Sequence, residues 1–165
     1  MKQVKSGLLP TAIWVIESPV GPLTLCESEG RLSHICFGEI SQAAPAVMEA
    51  TPLLCEARRQ LEDYFAGRLR EFSLPLAFSA TPFRERVWRA LMDIPYGEVR
   101  SYRQIAAAIG QPDACRAVGG ANHHNPLPIL IPCHRVIGAS GGLVGYGGGL
   151  NIKNALLELE RQNSN

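Results

Sequence analysis

No stretch of the 165-residue chain approaches the ~20 consecutive apolar residues that a membrane-spanning helix needs. The start of the chain lacks the basic-then-apolar signature of a secretory leader, so the expected location is cytoplasmic, or nuclear in a eukaryote. Its five cysteines (Cys26, Cys36, Cys55, Cys115 and Cys133) are odd in number, scattered and without a C-x-x-C pair. That pattern excludes a disulfide framework. His123, His124, Cys115, Cys133 and His134 show no tetrahedral ligand spacing, so no metal is expected. Neither G-x-x-x-x-G-K nor a G-x-G-x-x-G following a strand occurs, which removes phosphate-loop nucleotide binding. No cofactor is expected.

Net charge is also small, at +1, but unevenly placed. Residues 1–80 carry seven Lys and Arg against nine Asp and Glu, whereas residues 81–165 carry nine against six. A basic second half suits a polyanionic partner and equally suits a solvated surface.

What the chain does contain falls into two parts. Residues 12–18, 23–26 and 32–37 are rich in strand formers and separated by the turns Pro19-Val20-Gly21-Pro22 and Glu29-Gly30, predicting a three-stranded antiparallel meander. His34 falls on the third strand and reads as structural. Residues 39–50 read as a loop. Thr51-Pro52 is a helix start, followed by Leu54, Ala57, Leu61, Tyr64 and Phe65 at helical spacing up to Gly67. Phe72 to Phe78 reads as an irregular edge strand around Pro75. Thr81-Pro82 repeats the helix-start signal, and short helices follow. The expected fold is therefore α+β. A small N-terminal domain, residues 1–80, holds the sheet and a connecting helix. A mainly helical domain, residues 81–165, contains a helix-turn-helix of winged-helix-like type.

In that second domain, Phe83, Val87, Leu91 and Ile94 form an apolar stripe. Ser101-Tyr102-Arg103-Gln104 is a capping box opening a helix that Gly110 stops. Asp113 is the expected cap of the next helix, which runs to about Asn122. Two short helices joined by a Gly-containing turn make a helix-turn-helix, found in DNA-binding modules and in plain helical cores alike. In the second helix Ala114, Ala117, Val118 and Ala121 are expected to be buried, leaving Arg116, Gly119, Gly120 and His123 opposite. Two mid-helix glycines cost about 1 kcal/mol each relative to alanine. Either a neighbouring helix packs closely there, or this bare face enters a nucleic-acid groove with Arg116 filling the place of an extruded base. A glycine-rich loop, Gly141 to Gly149, could line a pocket with its amides. Asn151 is expected to cap a last helix burying Ile152, Leu156 and Leu159, with Glu160 at its margin.

Between these elements lies Asn125-Pro126-Leu127-Pro128-Ile129-Leu130-Ile131-Pro132-Cys133-His134-Arg135-Val136. Three prolines forbid a helix, and the apolar run predicts a buried extended segment that delivers a thiol and an imidazole. Burial raises a thiol pKa, whereas adjacent cations such as His134 and Arg135 lower it. In an extended segment successive side chains point apart, so His134 would act on Cys133 across a bend or through water, with Glu160 orienting the imidazole. The competing reading is a buried thiol and a satisfied histidine.

Pro132-Cys133-His134-Arg135-Val136 resembles the active-site motif of the O6-alkylguanine-DNA alkyltransferases, the methylated-DNA–protein-cysteine methyltransferases. The likeness extends in register through Arg116-Ala117-Val118-Gly119, Asn125-Pro126, Val136-Ile137-Gly138, Gly145-Tyr146, Gly148-Gly149, Lys153, Leu156-Leu157 and Glu160. It covers residues 81–160, and more loosely Ser18 to Leu23 and Tyr64 to Gly67.

The resemblance implies stoichiometric, irreversible repair of O6-alkylguanine, and of O4-alkylthymine, in double-stranded DNA by a monomer, after base flipping. Cys133 would accept the alkyl group and His134 its proton, with Glu160 behind the imidazole. Asn125 would brace the turn, and Tyr102 would rotate the nucleotide and protonate the departing base. Arg116 would be the finger, with Ala117, Gly119, Gly120 and Arg135 also on DNA. Val136, Tyr146, Gly147 and Pro128 would line the base pocket. Gly147 stands where relatives often carry a small side chain. A Cys-His hydrolase and a non-enzymatic helix-turn-helix module are the competing functions. The hydrolase would need a turnover step and an oxyanion hole, neither visible in the sequence.

Overall fold

The computed structural model describes residues 8–40 and 46–165. The chain divides into two compact units, Met1–Ser79 and Ala80–Asn165, and the architecture is α+β.

In the first unit, β1 (Ala12–Ile16), β2 (Leu23–Ser28) and β3 (Arg31–Phe37) form the expected antiparallel meander. The sheet has a fourth member beyond that expectation. Val47–Met48 (β4), within the stretch expected to be a loop, pairs in parallel with β1, giving the order β3-β2-β1-β4. Helix α1 (Pro52–Phe65) begins where Thr51 Oγ1 accepts the Leu54 N–H at 3.1 Å, and turns out at Gly67, φ 72°. It buries Leu54, Ala57, Leu61 and Tyr64. His34 is buried within β3, as a structural residue would be.

The second unit opens with α2 (Pro82–Met92), whose Thr81 cap accepts from Arg84 N. Val87, Trp88 and Leu91 are its buried face. Arg100–Ser101 (β5) leads into α3 (Tyr102–Ala108), and both halves of the Ser101/Gln104 capping box are formed. Gly110, φ 75°, ends the helix in the left-handed region that glycine tolerates. Helix α4 (Cys115–His123) completes the helix-turn-helix. Its N-cap is Ala114 with no side-chain hydrogen bond, so Asp113 does not cap it. Trp88 Nε1 donates to Ala121 O at 2.9 Å and ties α2 to α4. Beyond, Val136–Ile137 (β6) pairs in parallel with β5, and α5 (Leu150–Asn163) ends the unit. Its N-cap is Gly149, φ 94°, not Asn151, which lies inside the helix.

The proline-fenced segment is not extended. Ile131 N donates to Leu127 O at 2.8 Å across a turn in which Ile129 adopts φ 76°. Cys133–Arg135 then form one 3-10 turn. Leu127, Ile129 and Ile131 are at most 1% exposed, so the segment is buried as its apolar run implies while its backbone bends. Among the described residues no helix is long and apolar enough to cross a membrane.

Candidate active site

The 3-10 turn sets Cys133 on the wall of a cavity of about 450 Å³. Opposite stand Tyr102 from α3 and Cys115, Arg116, Gly119, Asn122 and His123 from α4, and the glycine-rich loop adds Val144 to Gly147. The sulfur-bearing residue is 6% exposed. Burial pushes the thiol up to about 11, against the pull of the Asn125 amide and the charge of Lys153. The groups that help the anion are therefore not the ones expected. His134 contributes only its backbone N–H, and Arg135 faces elsewhere.

Asn125 is the brace. Its Nδ2 donates to Ile131 O at 2.7 Å and to Cys133 Sγ at 3.1 Å, while its Oδ1 accepts from Leu127 N at 2.9 Å. One amide thus fixes both ends of the turn and touches the sulfur.

Behind the sulfur the charges form a closed group. His134 Nε2 meets Glu160 Oε1 at 2.6 Å, and Arg135 donates Nε to Oε2 at 2.8 Å and Nη2 to Oε1 at 3.0 Å. Arg135 Nη1 donates to Ile94 O at 2.6 Å. Burial would raise the Glu160 carboxyl, but His134 and Arg135 outweigh it and hold it at about 2. Burial drives His134 below its ordinary value, and the hydrogen bond to Glu160 only partly opposes this. With Nε2 engaged, Nδ1 has no hydrogen-bond partner among the described residues. The imidazole is a neutral base with one nitrogen committed and one open.

Tyr102 shares the cavity wall with Cys133, and its hydroxyl donates to Val144 O at 3.4 Å. Burial, then the nearby sulfur, raises that hydroxyl above the ordinary phenol, so it stays protonated as a donor. Tyr146 is raised further for the same reasons. Arg116 lines the cavity from the exposed side of α4. A Cβ on Gly119 would meet nothing closer than Tyr102 Cε1 at 3.9 Å, and one on Gly120 nothing within 4 Å. Close packing against a neighbouring helix does not explain these glycines; this face of α4 looks onto open space. Ala117, expected to be buried, is exposed on the same helix, and only Val118 and Ala121 are buried. Gly147 lines the cavity, and a Cβ added there would meet nothing within 4 Å.

Three expected roles do not survive the geometry. Arg135 is 6% exposed with its guanidinium spent on Glu160 and Ile94, so it cannot reach a phosphate. Val136 is fully buried, its carbonyl accepts from Lys153, and it is not among the residues that line the cavity. Pro128 is buried in the turn and does not line the cavity. Gly120, expected on DNA and not in the pocket, lies outside the cavity on the exposed surface of α4. In compensation, Cys115, Asn122, His123 and Val144 line it. On α5 the buried residues are Lys153, Leu156 and Glu160, not Ile152 and Leu159. The spacing of 153, 156 and 160 on one helix face is a signal available in the sequence.

Residues 82–162 match a family model described as the 6-O-methylguanine DNA methyltransferase DNA-binding domain, and residues 13–78 one described as its ribonuclease-like domain. The methylated-DNA–protein-cysteine methyltransferase of Methanosarcina barkeri is 51% identical over 152 residues, spanning 90% of this chain and 96% of that protein. The protein of that name from Mycobacterium tuberculosis is 53% identical over 149 residues, spanning 88% and 90%. The crystal structure of M. tuberculosis OGT in complex with DNA superposes with a TM-score of 0.86 at 50% identity, covering 92% of this chain and 94% of that one.

Proposed function

This chain belongs to the 6-O-methylguanine DNA methyltransferase family, and on that premise we propose that it repairs O6-alkylguanine in double-stranded DNA by moving the alkyl group to Cys133. The observation that carries the reading is the sulfur itself, held at the wall of a base-sized cavity by the Asn125 amide at 3.1 Å.

The Sγ–H proton passes to the open Nδ1 of His134, directly or through water. Sγ attacks the alkyl carbon, the S–C bond forms as the C–O6 bond breaks, and the departing guanine takes a proton from Tyr102. Glu160 orients the imidazole and stabilises the charge it gains. The product is a thioether, a poor leaving group, so each molecule acts once. O4-alkylthymine presents the same chemistry.

Reaching the cavity requires the nucleotide to leave the stack, which costs a few kcal/mol and least for a poorly paired base. The bare face of α4 supports this reading, because Gly119, Gly120 and the exposed Ala117 let a groove come close while Arg116 replaces the extruded base. We place the reaction in the cytoplasm, carried out by a monomer without a cofactor.

The test is the intact mass after mixing with duplex DNA carrying O6-methylguanine. The expected result is one added methyl on the peptide containing Cys133, saturating at one equivalent. Release of methyl with unmodified protein would indicate a hydrolase, and binding without modification a plain DNA-binding module.

A further inference from the structure

Among the described residues, Lys153 is the one buried cation of this unit without a carboxylate. Its side chain is 0% exposed, and no acidic group of those residues lies within ion-pair reach. Its Nζ donates to Val136 O at 2.6 Å and Val144 O at 2.9 Å. Burying an ammonium with only carbonyl dipoles for partners is unfavourable, and a neutral donor could bridge the same two carbonyls with less desolvation. The placement supplies a reason. Val136 closes the 3-10 turn, its N–H donating to Cys133 O, and Val144 stands on the cavity wall with Cys133. The ammonium is therefore fixed between the exit of the nucleophile's turn and the loop that covers it.

We propose that Lys153 is a positioning residue that compensates charge on Cys133: its ammonium, anchored on the Val136 and Val144 carbonyls, balances the negative charge that develops on Sγ. The proposal rests on Cys133 being the alkyl acceptor. The other groups around the sulfur do not supply this charge. His134 on the turn is neutral and bonded to Glu160 of α5, and Arg135 is neutralised by the same carboxylate. Tyr102 on α3 and Tyr146 in the loop are protonated phenols, and Asn125 is a neutral donor. Lys153 is held below its ordinary value by burial and drawn up by the sulfur, while its own charge draws the thiol down. The same charge disfavours protonation of His134, so its help goes to the anion at sulfur and not to the imidazolium.

The test needs neither DNA nor a lesion. Wild type, Lys153→Met, Lys153→Gln and Lys153→Arg are treated with iodoacetamide between neutral pH and pH 11, and the carbamidomethylated Cys133 peptide is followed by mass. In this reaction Sγ displaces iodide and the thiol proton goes to solvent. The expected result is an about tenfold slower reaction near neutrality for Lys153→Met and Lys153→Gln, equivalent to about one unit in the thiol titration. The slowing should hold while the thiol is largely protonated and begin to narrow only as pH reaches about 11, the range of the wild-type thiol, and Lys153→Arg should recover most of the rate. Lys153→Gln keeps a donor for the two carbonyls, so the measurement survives if the Met variant fails to fold. No slowing, or slowing in Lys153→Arg as large as in Lys153→Gln, overturns the proposal. Because no nucleobase has to be extruded, bound or protonated, this result and the O6-methylguanine result can fail independently.

Discussion

Glu160 and His134 meet in full burial, Nε2 to Oε1 at 2.6 Å, and the same carboxylate receives both Nε and Nη2 of Arg135. One acid thus orients the base and neutralises the buried guanidinium. Glu160→Gln keeps the shape but strands the Arg135 charge. The expected destabilisation is about 3–5 kcal/mol by urea denaturation. Alkyl transfer should slow by at least about tenfold, because the imidazole loses its orienting partner. A variant with wild-type stability would show that Arg135 is not held by this carboxylate.

The same group sets the response to acid. His134 lies below its ordinary 6.5 and Glu160 lies at about 2 against 4.5. In both cases the unfolded chain binds more protons, so their stabilisation is complete above pH 6.5 and is lost as pH falls. Loss begins below 6.5 through His134 and continues from 4.5 towards 2 through Glu160. Cys133 has the opposite sign. Its thiol moves from 9.0 to about 11, so its contribution is complete below pH 9 and declines as pH rises towards 11. Urea midpoints measured from pH 3 to 11 should fall at both ends. A flat acid limb would contradict the buried neutral imidazole.

Asn125→Ala removes one donor shared by Ile131 O and the sulfur, and the acceptor for Leu127 N. Leaving those buried groups unmet should cost about 1–3 kcal/mol. Iodoacetamide labelling of Cys133 at neutral pH should also slow, since the anion loses its hydrogen bond. Faster labelling would mean that the amide shields the sulfur more than it stabilises it.

Arg116 is exposed and reaches the cavity from α4. Its removal should matter only when a base must be kept out of its duplex. Arg116→Ala is expected to slow single-turnover transfer from duplex O6-methylguanine by about tenfold or more, a fraction of the cost of extrusion. Reaction with free O6-benzylguanine should change little. Equal slowing of the two would remove the finger role.

Gly147→Ala places a methyl where nothing lies within 4 Å, at a backbone angle that alanine accepts. Thermal stability should therefore stay within about 0.5 kcal/mol of wild type. The added methyl narrows the cavity, so transfer of a benzyl group should suffer more than transfer of a methyl. Equal rates for both substrates would place the alkyl group away from this residue.

How far the sequence could be read depends on whether the controlling interactions are local. Thr51-Pro52, Thr81-Pro82 and Ser101 with Gln104 start helices through contacts within three residues, and all three starts are legible. Val47-Met48 is not, because two exposed residues become a strand only by pairing in parallel with β1, the register joining Ala12 to Val47. Asp113 and Asn151 have the chemistry of caps, yet Ala114 and Gly149 take the position, since tertiary contacts set where these helices begin. The Cys133 segment misleads in conformation because a β-branched residue such as Ile129 is a poor candidate for positive φ. Burial of Lys153 and Glu160 is hidden by the rule that charged residues face water, which a reactive site overrides. The role expected of Asn125 comes through the family motif alone, whereas the residue pattern already offers His134 as the base for Cys133 and Glu160 behind it, beside the competing reading of a buried thiol and a satisfied histidine.

Ile129 holds a branched side chain, 1% exposed, in left-handed backbone just ahead of the sulfur. Torsional load of this kind, roughly 1–3 kcal/mol, persists only while tight surroundings enforce it. An alkyl group bonded to Sγ would add volume beside that bend, where a packing change has strain to release. The reacted protein is therefore expected to melt below the unreacted one, which thermal melts before and after alkylation would read.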